Sequence, residues 1–185
     1  LRWDGLTRAD QQDAAVSEVI AAKVDETGGL ISACVAARVL NRAGRALEAD
    51  AIVQRAKTLV TEESNDGQRL MLAELLFSMG RFFEAGALFE RLVTPGRLSD
   101  LHNRLLACYV RSHNRRKAKE MLAGLPAEWI DNDETRNLAI ELGQQAADWA
   151  FVRPLMDAQL KKHPTAAGSW VFKMGVSLHS STPPE

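Results

Sequence analysis

A small residue recurs along this chain at a spacing of about one helical hairpin, and that beat restricts the fold more than any other feature. Ala15, Ala49, Ala85, Ala118 and Val152 follow one another at intervals of 34, 36, 33 and 34 residues. Four positions after each stands an apolar residue: Val19, Val53, Phe89, Leu122 and Met156. A small residue followed one helical turn later by a bulky one, at this period, is the mark of stacked helix pairs. One such pair cannot bury its own apolar faces. Neighbouring pairs must therefore cover one another, which leaves an extended surface suited to holding something.

A second signature lies upstream of the first in each period. Repeat one reads Ala33-x-x-Ala36-Ala37-x-x-Leu40, then Gly44, then Ala49-x-x-x-Val53. Repeat two reads Arg69-x-x-Leu72-Ala73-x-x-Leu76, then Gly80 and Phe82, then Ala85-x-x-x-Phe89. Repeat three reads His102-x-x-Leu105-Leu106-x-x-Tyr109, then Ala118-x-x-x-Leu122. Repeat four reads Thr135-x-x-Leu138-Ala139-x-x-Leu142, then Trp149, Val152-x-x-x-Met156 and Pro164. The small residue after the leucine lets two antiparallel helices approach closely, and the bulky ones fill the space beside it. Gly44 and Gly80 suit the left-handed turn that ends a first helix.

This pattern resembles the tetratricopeptide repeat, whose signature runs W-x2-L-G-x2-Y, then A-x3-F, then P. The resemblance covers about residues 30 to 164. It departs from the family pattern in having no Trp at the first position, Leu106 where a small residue belongs, and a closing Pro only at Pro164. His113-Asn114 replaces the turn glycine in repeat three, and Asn is the next best residue at positive φ. The resemblance implies an all-α, right-handed superhelical solenoid of antiparallel helix pairs, about ten helices in all. Its divisions are an N-terminal helix at 1–29, repeats at 30–65, 66–98, 99–131 and 132–166, and a C-terminal half repeat at 167–185.

The flanks restate halves of the motif. Ala15, Val19 and Ala22 copy the spacing of Ala49, Val53 and Ala56, and Val171-x-x-Met174-Gly175-x-x-Leu178 copies a first helix. The expectation is an array cut from a longer one, with capping helices as the alternative. Its ends, Val16, Val19 and Ile20 on one side and Val171, Met174 and Leu178 on the other, are expected to support end-to-end self-association.

Composition narrows function further. A net charge of −1 gives no field to recruit nucleic acid or an acidic membrane. No apolar stretch approaches the roughly 20 residues that a membrane-spanning helix needs. Cys34 and Cys108 stand two repeats apart on first helices, which argues against a disulfide and favours a reducing compartment, cytoplasmic before periplasmic. Asp148 is placed to cap the helix that contains Pro154, which is tolerated near a helix start and kinks it otherwise.

No catalytic constellation emerges. Cys108 with His102 and His113 is the sole grouping suggestive of a nucleophile, and Cys108 falls beside a packing position, as a structural thiol does. No histidine has a ligand partner one helical turn away, and no phosphate-binding glycine loop is present, so no metal or cofactor is expected. Glu62-Glu63 and Asp131-x-Asp133-Glu134 read as acidic helix starts. The basic run Arg111, Arg115, Arg116, Lys117 and Lys119 reads as a solvated turn. Without interleaved aromatics it makes a poor nucleic-acid site.

The stronger candidate is a groove. The resemblance assigns the concave face to first-helix positions, here Arg38 and Arg42 of repeat one, Leu70, Glu74 and Phe77 of repeat two, Asn103 and Arg111 of repeat three, and Arg136 of repeat four. Arginines there suit forked hydrogen bonds to carboxylates of an acidic or extended peptide, with Leu70 and Phe77 forming an apolar pocket. The family's clamp for a peptide C-terminus uses Lys and Asn where this chain has Cys34 and Arg38, so that ligand is not expected. The implied function is a non-enzymatic scaffold for protein–protein interaction. The alternative is an accessory module of a larger bacterial transferase or envelope assembly and export protein.

Overall fold

The computed structural model describes residues 29–94 and 99–165, and every regular element among these is helical. Nine helices are described: α1 (Leu30–Arg42), α2 (Ala46–Thr58), α3 (Asp66–Ser78), α4 (Phe82–Leu92), α5 (Asp100–Arg111), α6 (Arg115–Ala123), α7 (Ala127–Ile130), α8 (Asp133–Gln145) and α9 (Trp149–Lys162). The expected helices within 1–29 and 167–185, with the end residues Val16, Val19, Ile20, Val171, Met174 and Leu178, lie outside the described residues. The chain divides into two compact units at Leu101/His102. In the first, α1 packs on α2, α3 on α4, and α1 on α3. In the second, α8 packs on α9, and the one-turn α7 packs on α8. That short helix begins directly after Pro126.

The same turn is built four times. Gly44 (φ 74°), Gly80 (φ 75°), His113 (φ 58°) and Ala147 (φ 53°) are all left-handed. The amide after each donates back five residues to a carbonyl of the preceding helix: Arg45 to Leu40 at 2.9 Å, Arg81 to Leu76 at 2.9 Å, Asn114 to Tyr109 at 2.8 Å and Asp148 to Gly143 at 2.9 Å. The left-handed residue itself donates to Asn41, Phe77, Val110 or Gln144, three residues back. This is the two-bond Schellman closure, which satisfies carbonyls that a helix end would otherwise strand. Repeat three departs from expectation in detail. His113 takes the left-handed conformation, while Asn114 sits at φ −80° and caps α6 by accepting from the Lys117 amide.

Packing follows the small-then-bulky beat. Ala49, Ala85, Ala118 and Val152 are wholly buried, as are Val53 and Phe89, with Leu122 and Met156 nearly so. On the first helices Ala37, Ala73 and Leu106 are wholly buried and Ala139 nearly so. A residue without a long side chain at a helix crossing lets the backbones close to contact distance, so the burial is a consequence of the spacing.

Caps and ion pairs fix the ends. Asn65 and Gln68 form a reciprocal capping box at the start of α3, with Asn65 Oδ1 accepting from the Gln68 amide at 2.9 Å and Gln68 Oε1 from the Asn65 amide at 3.1 Å. Asp148 caps α9 by accepting from the Phe151 amide at 3.2 Å, as expected. Pro154 lies past the first turn of α9, and the helix continues through it, with Pro154 and Ala150 both exposed. The carbonyl that loses its donor there is thus on a side open to water.

In the first unit Lys57 and Arg81 both donate to Glu84, at 2.6 Å each, and Arg81 also reaches Asp50 at 3.3 Å, which ties α2 to α4. Burial alone would raise the Glu84 pKa, but the hydrogen bonds from Lys57 and Arg81 outweigh it and hold the carboxyl below its ordinary value.

Candidate binding face

The residues expected in the groove lie on first helices of both units, α1 and α3 in the first and α5 and α8 in the second, and within each unit they are of different kinds. In the first unit, Arg38 and Arg42 stand one turn apart on α1, and Leu70 and Glu74 one turn apart on α3, the helix packed beside it. Arg42 is exposed, while Arg38, Leu70 and Glu74 are half-buried. Arg38 has a distinctive defect: its Nε is buried and has no hydrogen-bond partner among the described residues. One turn before it, the Cys34 thiol is buried. Burial pushes its pKa up to about 11, against the opposing charge of Arg38, so this thiol stays protonated and unreactive.

Phe77, expected to form an apolar pocket with Leu70, also meets the aromatics of α4. Its ring meets Phe82 edge to face at 5.4 Å between centroids and Phe89 at 6.3 Å, inside the α3–α4 hairpin. A ring at that position is drawn to the aromatic start and middle of α4, which the turn at Gly80 folds back against it.

In the second unit two groove residues have become structural. Asn103 on α5 is buried, accepting from the Thr135 hydroxyl at 2.8 Å and donating through Nδ2 to Glu134 Oε2 at 3.4 Å. Arg136 on α8 is only 4% exposed. Its Nη1 donates to Asp133 Oδ1 at 3.1 Å and Gln159 Oε1 at 2.9 Å, and its Nη2 donates to the Asp131 carbonyl at 2.7 Å. A guanidinium enclosed and bonded in this way ties α9 to the start of α8 and is not presented to a ligand. Asp133, at the same corner, also accepts from Lys162 at 2.7 Å and from the His163 ring at 2.9 Å. Those bonds hold its pKa down to about 2. Arg111, in the last turn of α5, is exposed. A polar Thr135 at the core position held by Ala33 in repeat one is the sequence signal that betrays the Asn103 pairing.

The residues weighed as a nucleophile grouping take structural places. Cys108 is wholly buried, His102 packs its ring edge-on to Trp129 at 6.2 Å, and the His113 ring meets Gln145 at 3.2 Å in the turn. Asn132, not an acid, caps α8, accepting from the Glu134 amide at 2.8 Å, and Asp133 and Glu134 fill the first turn. Glu62 pairs with Arg91 at 3.1 Å. No helix among the described residues is long and apolar enough to cross a membrane. No protein-family model, no curated protein and no solved structure matches the chain.

Proposed function

We propose that the chain is a helical-hairpin repeat protein of tetratricopeptide type, following the family's right-handed superhelix. In this reading it is a non-enzymatic scaffold that holds an extended, acidic partner polypeptide on the α1–α3 face. Arg38 Nε carries this reading. More than nine in ten buried polar groups find a partner, and one left without costs on the order of 1–3 kcal/mol. Because that Nε is closed to solvent, a partner carboxylate reaches it only as the half-buried Arg38 side chain swings outward, which relieves the unpaired donor and presents a guanidinium fork that matches a carboxylate with two parallel bonds. Neighbouring helices lie roughly 8–10 Å apart, which about three residues of extended chain span. A strand laid across α1 and α3 therefore meets Arg38 and Arg42 on one helix and Leu70 and Glu74 on the next.

The test exploits the cost of the orphan. Arg38→Met keeps an unbranched stem and removes the donors, so the free protein is expected to hold its stability or gain about 1 kcal/mol in urea unfolding. The same change is expected to weaken a fluorescein-labelled ten-residue peptide of alternating Glu and Ala by about 1.5–3 kcal/mol in fluorescence anisotropy. A matched Gln and Ala peptide is expected to bind weakly to both proteins. A Met variant that binds the acidic peptide as tightly as the parent, or that loses stability, contradicts the assignment.

A further inference from the structure

The second unit carries a half-open pocket of about 360 Å³ lined by α6, α7, α8 and α9. Its wall is almost wholly apolar, formed chiefly by Leu122, Ile130, Leu142, Phe151 and Leu155. Two charged residues join it, Lys119 and Asp148. They are not equivalent. The Asp148 carboxylate accepts from the Phe151 amide as the cap of α9. Lys119 is exposed and has no ion-pair or hydrogen-bond partner among the described residues, whereas on the same helix Arg116 pairs with Glu120 at 3.3 Å and Lys117 lies over the Tyr109 ring at 5.4 Å. A lysine that lines an apolar wall while remaining exposed lays its methylenes along the wall and keeps its ammonium in water at the rim.

We propose that this cavity is a binding site for a small amphiphilic carboxylate, with an alkyl body in the cavity and its carboxylate on Lys119. The size fits: a cavity of about 150 Å³ holds a benzene-sized ligand, so this one takes a body of roughly ten to fifteen heavy atoms, within the usual range of ligand pockets. The chemistry of the wall selects against a peptide. A peptide segment brings backbone amides and carbonyls that must be paired when buried, and the wall is almost wholly apolar. An alkyl chain brings no polar group except its head, and Lys119 is of the complementary sign, while the Asp148 carboxylate is turned to the Phe151 amide at the start of α9.

The experiment is calorimetric titration of the full chain with n-decanoate below its micelle concentration, beside n-decanol and decyltrimethylammonium. One saturable decanoate site is expected, with decanol weaker and the cation not bound. Lys119→Gln is expected to weaken decanoate by about three- to fivefold, the upper end for an exposed ion pair, and to leave decanol unchanged. Ala123→Trp, at an exposed position on the cavity wall, is expected to abolish binding of both with helicity retained by circular dichroism. Absence of saturable binding by decanoate overturns the assignment. So does decanoate binding that survives Ala123→Trp, or a carboxylate preference that survives Lys119→Gln.

Discussion

Phe89→Ala is expected to cost about 3–5 kcal/mol of stability, the largest loss from any single truncation in the first unit. Phe89 is the bulky member of the repeat-two pair with Ala85, wholly buried, and its ring is 6.3 Å from that of Phe77. Truncation removes the transfer energy of the ring and leaves a void between two helices already joined by the tight turn at Gly80, so little relaxation can refill it. The internal control is Phe83, six residues earlier on the same helix and 79% exposed. Phe83→Ala is expected to change stability by no more than about 0.5 kcal/mol. Urea midpoints measure both. Equal losses at the two positions would mean that the buried face of α4 is not the one described.

Gly143→Leu is expected to be nearly as damaging, at about 3 kcal/mol. A Cβ at Gly143 would stand 2.4 Å from Val152 Cγ2 and 2.9 Å from Phe151 Cδ1. Val152 is wholly buried, and a β-branched side chain in a helix has essentially one χ1 rotamer, so it has nowhere to go. The added bulk must therefore push α8 away from α9. Gly124→Leu is the matched control, because a Cβ there meets nothing nearer than the Met121 carbonyl at 3.5 Å, and its expected effect is small. Thermal or urea unfolding of the two variants separates a crossing-point glycine from one at a helix end.

Much of the hairpin geometry was written in side-chain size. Ala49, Ala85 and Ala118 are small because a helix crosses there, and their apolar partners four residues on are buried for the same reason. Gly44 and Gly80 announce their turns because glycine alone adopts that backbone without strain. Ala147 does not, since alanine gives no sign of a left-handed conformation, and at His113-Asn114 the residue types left open which of the two adopts it. The fourth hairpin also carries one more residue between Thr135 and Ala147 than the first does between Ala33 and Gly44. That insertion brings Gly143 to the crossing, a role no repeat motif assigns to it.

The groove residues were less legible than the fold, because sequence gives a position on a helix but not what a neighbouring helix brings to it. Arg136 and Arg38 are both first-helix arginines expected in the groove. Arg136 is buried because Gln159 of α9 and the Asp131–Asp133 corner supply acceptors on several sides, whereas Arg38 has an orphaned donor. Phe77 also meets Phe82 and Phe89, two aromatics whose spacing to it depends on the turn and could not be read from its own helix.

The repeated hairpin turn rests most heavily on Ala147, where the residue type argues against the conformation and only equivalence with Gly44, Gly80 and His113 argues for it. The decisive measurement is the urea unfolding free energy of Ala147→Gly. In a left-handed turn at φ 53°, the alanine Cβ crowds the following carbonyl, and glycine relieves this by about 1–2 kcal/mol, offset in part by a more flexible unfolded chain. A net gain of about 0.5–1 kcal/mol is the expected result. In an ordinary helical conformation the same change lowers stability by about 1 kcal/mol, and a loss of that size would contradict the fourth turn and with it the equivalence of the hairpins.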